Sequence, residues 1–102
     1  MNFDIITAAE DFDAALKQIN KWNKGKKPFD LTLEFDGASL QLATALVTLS
    51  IPAKGQADVS IGMPGKVMVR MQGAFPGKQI HLRLEGAILK IETLSMPCTI
   101  LP

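Results

Sequence analysis

The sequence predicts an α+β domain in which one strand–helix–strand–strand–strand unit is used twice. The first observation behind this is a repeat. Gly37-Ala38-Ser39-Leu40-Gln41-Leu42-Ala43-Thr44 returns as Gly86-Ala87-Ile88-Leu89-Lys90-Ile91-Glu92-Thr93, an offset of 49 residues. The offset extends to Ile51 and Ile100, and a proline follows each copy closely, Pro52 and Pro102. The second observation is strict apolar alternation just before each copy, in Leu31-Thr32-Leu33-Glu34 and in Ile80-His81-Leu82-Arg83. The third is an amphipathic helical stretch ahead of the first copy. A period this long marks a supersecondary unit that cannot bury its apolar face alone. Two such units, packed with two helices on one face of antiparallel sheets, bury both faces together. The repeat runs over residues 1–52 and 56–102, with no linker between, so residues 1–102 form a single domain.

The elements follow in order. Asn2-Phe3-Asp4-Ile5-Ile6 alternates as a short strand. Thr7-Ala8-Ala9-Glu10 has the form of a capping box, a hydroxyl and a carboxylate three residues apart at a helix start. Phe12, Leu16 and Ile19 repeat at helical spacing, and Ala15 and Trp22 widen that face. The helix should stop near Asn23 or Gly25. Phe29, Leu31, Leu33 and Phe35 alternate with polar residues, as in a strand with one buried face. Asp36-Gly37 predicts a tight hairpin, because such turns need positive φ. Leu40 and Leu42 point inward on the partner strand. Val47, Leu49 and Ile51 mark a third strand, and Pro52-Ala53-Lys54-Gly55 reads as the turn at the midpoint.

The second unit opens on the alternation of Ala57, Val59, Ile61 and Met63, which Pro64-Gly65 interrupts. Residues 66–72 alternate like a strand, yet their place in the repeat calls for a short helix. Phe75-Pro76-Gly77-Lys78 is a turn, and Ile80, Leu82 and Leu84 form the next inward face. A turn at Glu85-Gly86 leads to Leu89 and Ile91. One last strand is expected over residues 95–101.

Composition narrows the function classes. The 102 residues carry 11 Lys and Arg against 10 Asp and Glu, a net charge of +1. Affinity for a polyanion would have to come from a local patch. Cys98 is the one cysteine, which precludes an internal disulfide and reads as a small apolar residue of a late strand. No basic segment followed by an apolar run opens the chain, and no apolar stretch approaches ~20 residues. The expected location is the cytoplasm, with no membrane partner. No cofactor is implied.

Several stretches resemble one domain of a DNA sliding clamp, the processivity-factor family. Met1-Asn2-Phe3 ahead of a capped helix is similar to a clamp opening. Residues 29–42 with their Asp-Gly hairpin resemble the strand pair that follows. Met63-Pro64-Gly65-Lys66 running into Phe75-Pro76-Gly77 resembles the second, short helix. Ser95-Met96-Pro97-Cys98-Thr99-Ile100-Leu101 resembles the tail of the bacterial clamp that contributes to its client-peptide pocket. Clamps of this family carry two or three such domains per subunit, and six domains close the ring. The resemblance therefore implies a homo-oligomer, six copies paired edge to edge.

It also implies roles for particular residues. Lys17, Lys21 and Lys24 fall on one helical stripe opposite Phe12, Leu16 and Ile19. Lys26 and Lys27 extend the stripe, and Lys66 and Arg70 add to it from the second helix. In a clamp such helices face duplex DNA without reading sequence, a task that suits lysine's flexible point charge. Glu10, Asp11 and Asp13 early and lysines late would equally suit the helix dipole with no ligand. Met96, Pro97, Ile100 and Leu101 are the counterpart of a groove for short apolar client peptides, or simply a strand that closes the core.

Enzyme chemistry finds little support. His81 has no second histidine and sits on the polar phase of a strand, facing solvent. Asp30, Glu34 and Asp36 share a strand face as solvating carboxylates. Gly62-Met63-Pro64-Gly65-Lys66 lacks the glycine spacing and the Ser/Thr of a phosphate loop. The expectation is a non-enzymatic scaffold on DNA that tethers replication and repair proteins. The alternative is a stand-alone protein–protein interaction module of the same fold without DNA binding.

Overall fold

Apolar alternation becomes a nine-stranded antiparallel sheet among the residues that the computed structural model describes, 2–25, 27–75 and 77–101. Readings that touch Met1, Lys26, Pro76 or Pro102 lie outside the described residues. In chain order the elements are β1 (Phe3–Ala8), α1 (Ala9–Trp22), β2 (Asp30–Phe35), β3 (Ser39–Ala43), β4 (Thr48–Ala57), β5 (Ser60–Pro64), α2 (Gly65–Val69), β6 (Gln79–Glu85), β7 (Ile88–Ile91), β8 (Leu94–Pro97) and β9 (Thr99–Leu101). The strands lie in the order β8-β7-β6-β1-β4-β3-β2-β5-β9. One apolar core joins the inward residues of β1 through β8 with Phe12, Leu16 and Ile19 of α1 and Met68 of α2. Leu16, Ile19, Leu31, Leu33, Leu82 and Leu89 are wholly inaccessible to solvent. Each such side chain contributes roughly 1.5–3 kcal/mol.

The helices lie antiparallel. The Gly73 N–H, just past α2, donates to Asp13 Oδ1 near the start of α1 (2.6 Å), while Lys66 Nζ, at the start of α2, donates to the Gly25 carbonyl beyond the end of α1 (3.1 Å). Each helix begins where a loop supplies a backbone acceptor. The Ala9 N–H donates to Lys78 O (2.9 Å) and the Gly65 N–H to Phe29 O (2.8 Å). Gly65 is required there, because a Cβ would overlap the Phe29 ring.

Residues 66–69 are helical, the favoured one of the two sequence readings of this stretch, and Met68 is buried. Four other expectations need correction. Thr7 does not cap α1. Strand pairing with Ala53 and Ile80 keeps it in β1, and its buried hydroxyl donates instead to Pro52 O (2.7 Å). Residues 52–55 are not a turn but the middle of β4, where the strand leaves β3 and takes up β1. The final strand is two strands. Cys98 breaks it, with β8 pairing β7 and β9 pairing β5. Trp22 does not widen the buried face and is 58% exposed. It stands about 60° off the line of Ile19, where burial ends.

The hairpins close at the expected places. At the first, Gly37 alone takes positive φ (101°), and Asp36 acts through its carboxylate, which accepts from the Ala38 and Ser39 amides at 2.9 and 2.7 Å. At the second, Gly86 has φ 59° and Lys90 Nζ sits 2.9 Å from Glu85 Oε2.

Register also revises the repeat. Leu40 pairs with Ile51, and Leu89, 49 residues on from Leu40, pairs with Met96. Ser39 faces Pro52 as Ile88 faces Pro97. Met96, not Ile100, thus lies opposite Leu89 as Ile51 lies opposite Leu40, and Pro97 holds the place against Ile88 that Pro52 holds against Ser39. The first hairpin is four residues longer than the second, two in the loop and two in the added pair Ala43–Thr48.

Two outcomes follow. Gly55 has φ 139°, and a Cβ on it would overlap the Asp4 carbonyl. Gly55→Ala should cost at least ~2 kcal/mol in urea unfolding, against ~0.5 kcal/mol for Gly77→Ala, where the added Cβ meets only an ordinary contact. The Ala38 and Ser39 amides hold the Asp36 carboxyl below the usual carboxylate range. A lowered folded-state value favours the ionised form in the native protein. The contribution is thus complete above the ordinary value and disappears as pH falls through the folded one. The stability gap between the parent and Asp36→Ala should be full at pH 6 and narrow in acid; a gap unchanged down to pH 2 would contradict this.

Candidate nucleic-acid interface

The cationic residues sit on and beyond the outer face of α1 and along α2. Lys17 lies one turn after Asp13, its Nζ 3.5 Å from Asp13 Oδ2. Its side chain is 66% exposed, so the pair is worth only a few tenths of a kcal/mol. Lys21 is exposed on the last turn. Lys24 falls outside the helical stripe assigned to it, because α1 ends at Trp22 with Asn23 as its C-cap. The Asn23 N–H and side-chain amide both donate to Ile19 O (3.1 and 2.9 Å), which stops the helix there. Lys24 and Lys27 are exposed in the loop that follows. Lys26 lies outside the described residues.

Lys66 reaches back to that loop through its bond to Gly25 O. Helix pairing thus gathers Lys21, Lys24, Lys27 and Lys66 at one end of the helix layer. Arg70, exposed just past α2, stands at the opposite end, toward Asp13. Lys21, Lys24 and Lys27 make no ion pair with another described residue. The predicted set is thus divided: Lys21, Lys24, Lys27 and the carbonyl-bonded Lys66 gather at one end, while Lys17 pairs with Asp13 and Arg70 follows the far end of α2.

The four residues of the predicted peptide groove do not share one surface. Met96 is buried in the core opposite Leu89, so it has no face to offer a peptide. Pro97 is exposed at the end of β8. Ile100 pairs with Ile61, and Leu101 packs over Gly62 in a shallow cleft of about 420 Å³ that Asp30, Thr32 and Thr99 also line.

The remaining polar candidates have structural partners. His81 is half-buried rather than free in solvent. Its Nε2 bonds Asp4 Oδ1 across the β1–β6 pair, and its N–H donates to Glu92 Oε1 (2.9 Å). Asp36 is occupied by its turn, and the Lys66 ammonium by a backbone carbonyl. Among the described residues no group of three His, Cys, Asp or Glu side chains is placed to hold a metal. No described helix is long and apolar enough to cross a membrane.

Sequence reading missed the bond of Asp13 with Gly73 and that of Lys66 with Gly25. Both join residues far apart in the chain, and no local pattern signals them. No protein-family model matches the chain, and no curated protein matches it.

Cys98 links β8 to β9. Its N–H donates to Ala87 O (3.0 Å) and its Sγ faces the same carbonyl at 3.5 Å. Burial pushes its thiol up from the ordinary value. Alkylation at pH 8 should be slower for Cys98 in the native protein than for the urea-unfolded chain; equal rates would contradict the assignment.

Proposed function

We propose that this chain is a sliding-clamp-like scaffold domain, non-enzymatic, whose copies close into a ring around duplex DNA and tether replication and repair proteins from the outside. The observation that carries the reading is the matched wiring of its halves. The pairs β1–β6, β1–β4, β2–β3 and β3–β4 have counterparts in β5–β2, β5–β9, β6–β7 and β7–β8. The match extends to single hydrogen bonds. Ala9 N–H to Lys78 O corresponds to Gly65 N–H to Phe29 O, and Ala53 N–H to Ala38 O corresponds to Cys98 N–H to Ala87 O. This is the pattern expected of a duplicated β-α-β-β-β unit, the unit from which clamp domains are made.

Two antiparallel helices with Lys17, Lys21, Lys66 and Arg70, together with Lys24 and Lys27 of the loop, supply the charge for phosphates. One copy offers few cations. A closed ring multiplies them and adds a topological hold that does not depend on the strength of any one interaction. β8 and β9 are the two edges of the sheet, and an edge strand carries backbone groups that a second copy can pair with.

Light scattering after size-exclusion chromatography should give about 66 kDa, six times the 11.0 kDa of the chain. The protein should then be retained on circular duplex and slide off linear duplex. Charge reversal of Lys17, Lys21 and Lys24 together should flatten the dependence of duplex affinity on salt. The slope of log affinity against log salt should fall by about 0.9 for each phosphate that is no longer neutralised. A strict monomer without salt-sensitive duplex binding would overturn the reading in favour of a stand-alone interaction module.

A further inference from the structure

The last turn of α1 carries a side chain that the clamp-like reading leaves without a role. Trp22 is 58% exposed, and Leu46, in the β3–β4 loop, is 63% exposed. The two flank a fixed junction. The Asn23 side-chain amide donates to the Thr44 hydroxyl oxygen (3.4 Å), which also accepts from the Leu46 and Val47 amides, each at 3.2 Å. The same Asn23 amide group holds Ile19 O, so the junction is anchored to the helix that bears the indole.

The two chain segments that meet at this corner carry lysine and no acidic side chain. Residues 14–29 contain five lysines and no Asp or Glu, and residues 37–57 contain one lysine and no Asp or Glu. These are the two segments that meet at the junction. Lys21 and Lys24 flank Trp22 in the chain, and Lys27 follows.

An exposed ring among cations fits three kinds of ligand. A membrane surface needs a broad apolar face. The other large exposed apolar side chains, Ile6 and Ile88, belong to β1 and β7 and do not extend this patch. An apolar peptide anchor needs a walled pocket, whereas Trp22 and Leu46 stand largely open to solvent. A nucleobase needs only an open aromatic face, with cations at the spacing of a strand's phosphates.

We propose that Trp22 is a stacking site for an unpaired base, with Lys21, Lys24 and Lys27 meeting the phosphates on either side. The ligand class is single-stranded DNA, or an unpaired stretch next to a duplex. This rests on the reading of the lysine-bearing face as facing nucleic acid, and it adds a preference which that reading alone does not contain.

Trp22 is the only tryptophan and the chain has no tyrosine, so intrinsic fluorescence reports on this site alone. Oligo(dT) and a blunt duplex of equal length, each dye-labelled for anisotropy, should be titrated into the full chain at low salt. Oligo(dT) should bind and quench the indole. Trp22→Ala should weaken oligo(dT) binding about five- to hundred-fold and leave duplex binding within about two-fold. Trp22→Phe should recover part of the loss, and unchanged thermal melting should show that both variants fold. Duplex binding with no quenching and no effect of Trp22→Ala overturns the stacking site and leaves the lysine face intact. Absence of binding to either DNA overturns both. An indole response to anionic phospholipid vesicles or to a glutamate-rich apolar peptide, without one to oligo(dT), overturns the proposal in favour of that partner.

Discussion

The structure depends on a single strand that belongs to two halves of a sheet. β4 pairs with β3 as far as Pro52 and with β1 from Ala53 onward, so the crossing is made between these two residues. A proline is tolerable there because no ladder partner requires its N–H. Its carbonyl is met by the buried Thr7 hydroxyl, which satisfies a polar group that would otherwise cost about 1–3 kcal/mol to bury. Further along, Gly55 lets the strand approach β1 closely enough to keep pairing. Remove the crossing and the two halves lose the long strand with which both pair. Each would then present an apolar face to water.

This arrangement explains which parts of the fold were legible in the sequence. Period-two alternation located β2, β3, β6 and β7 because one face of each is buried, and the glycines at 37 and 86 marked their hairpins because both take positive φ. The β4 crossing was illegible for the same local reason. Pro-Ala-Lys-Gly has turn composition, and what overrides it is pairing with β1, some fifty residues earlier. Thr7 misled in the same way. Its spacing to Glu10 satisfies a capping box, yet a partner on each side of β1 claims it for the sheet. That Met96 rather than Ile100 lies opposite Leu89 was hidden too, because alternating apolar residues conceal a shift by an even number.

The charged face shows a different limit. Its lysines were legible as a stripe, but a stripe assumes that the helix continues. Asn23 ends α1, and Lys24 passes into a loop whose position is set by Lys66 across the helix pair. Trp22 was assigned to the buried face on its helical spacing, three residues after Ile19. Only the end of burial at Ile19 reveals it as surface. Exposure and charge at this corner thus emerge together from one local event, the termination of the helix.

The break at Cys98 makes the two joins between the halves mechanically unlike. On one side the halves share β4, ten residues of continuous chain. On the other they are spanned by β8 and β9, four and three residues long, interrupted at a single bonded cysteine. The domain is in effect a book with a stitched spine and an edge held by a clasp. Thermal fluctuation should part the short clasp, beside Met96, before the ten-residue spine.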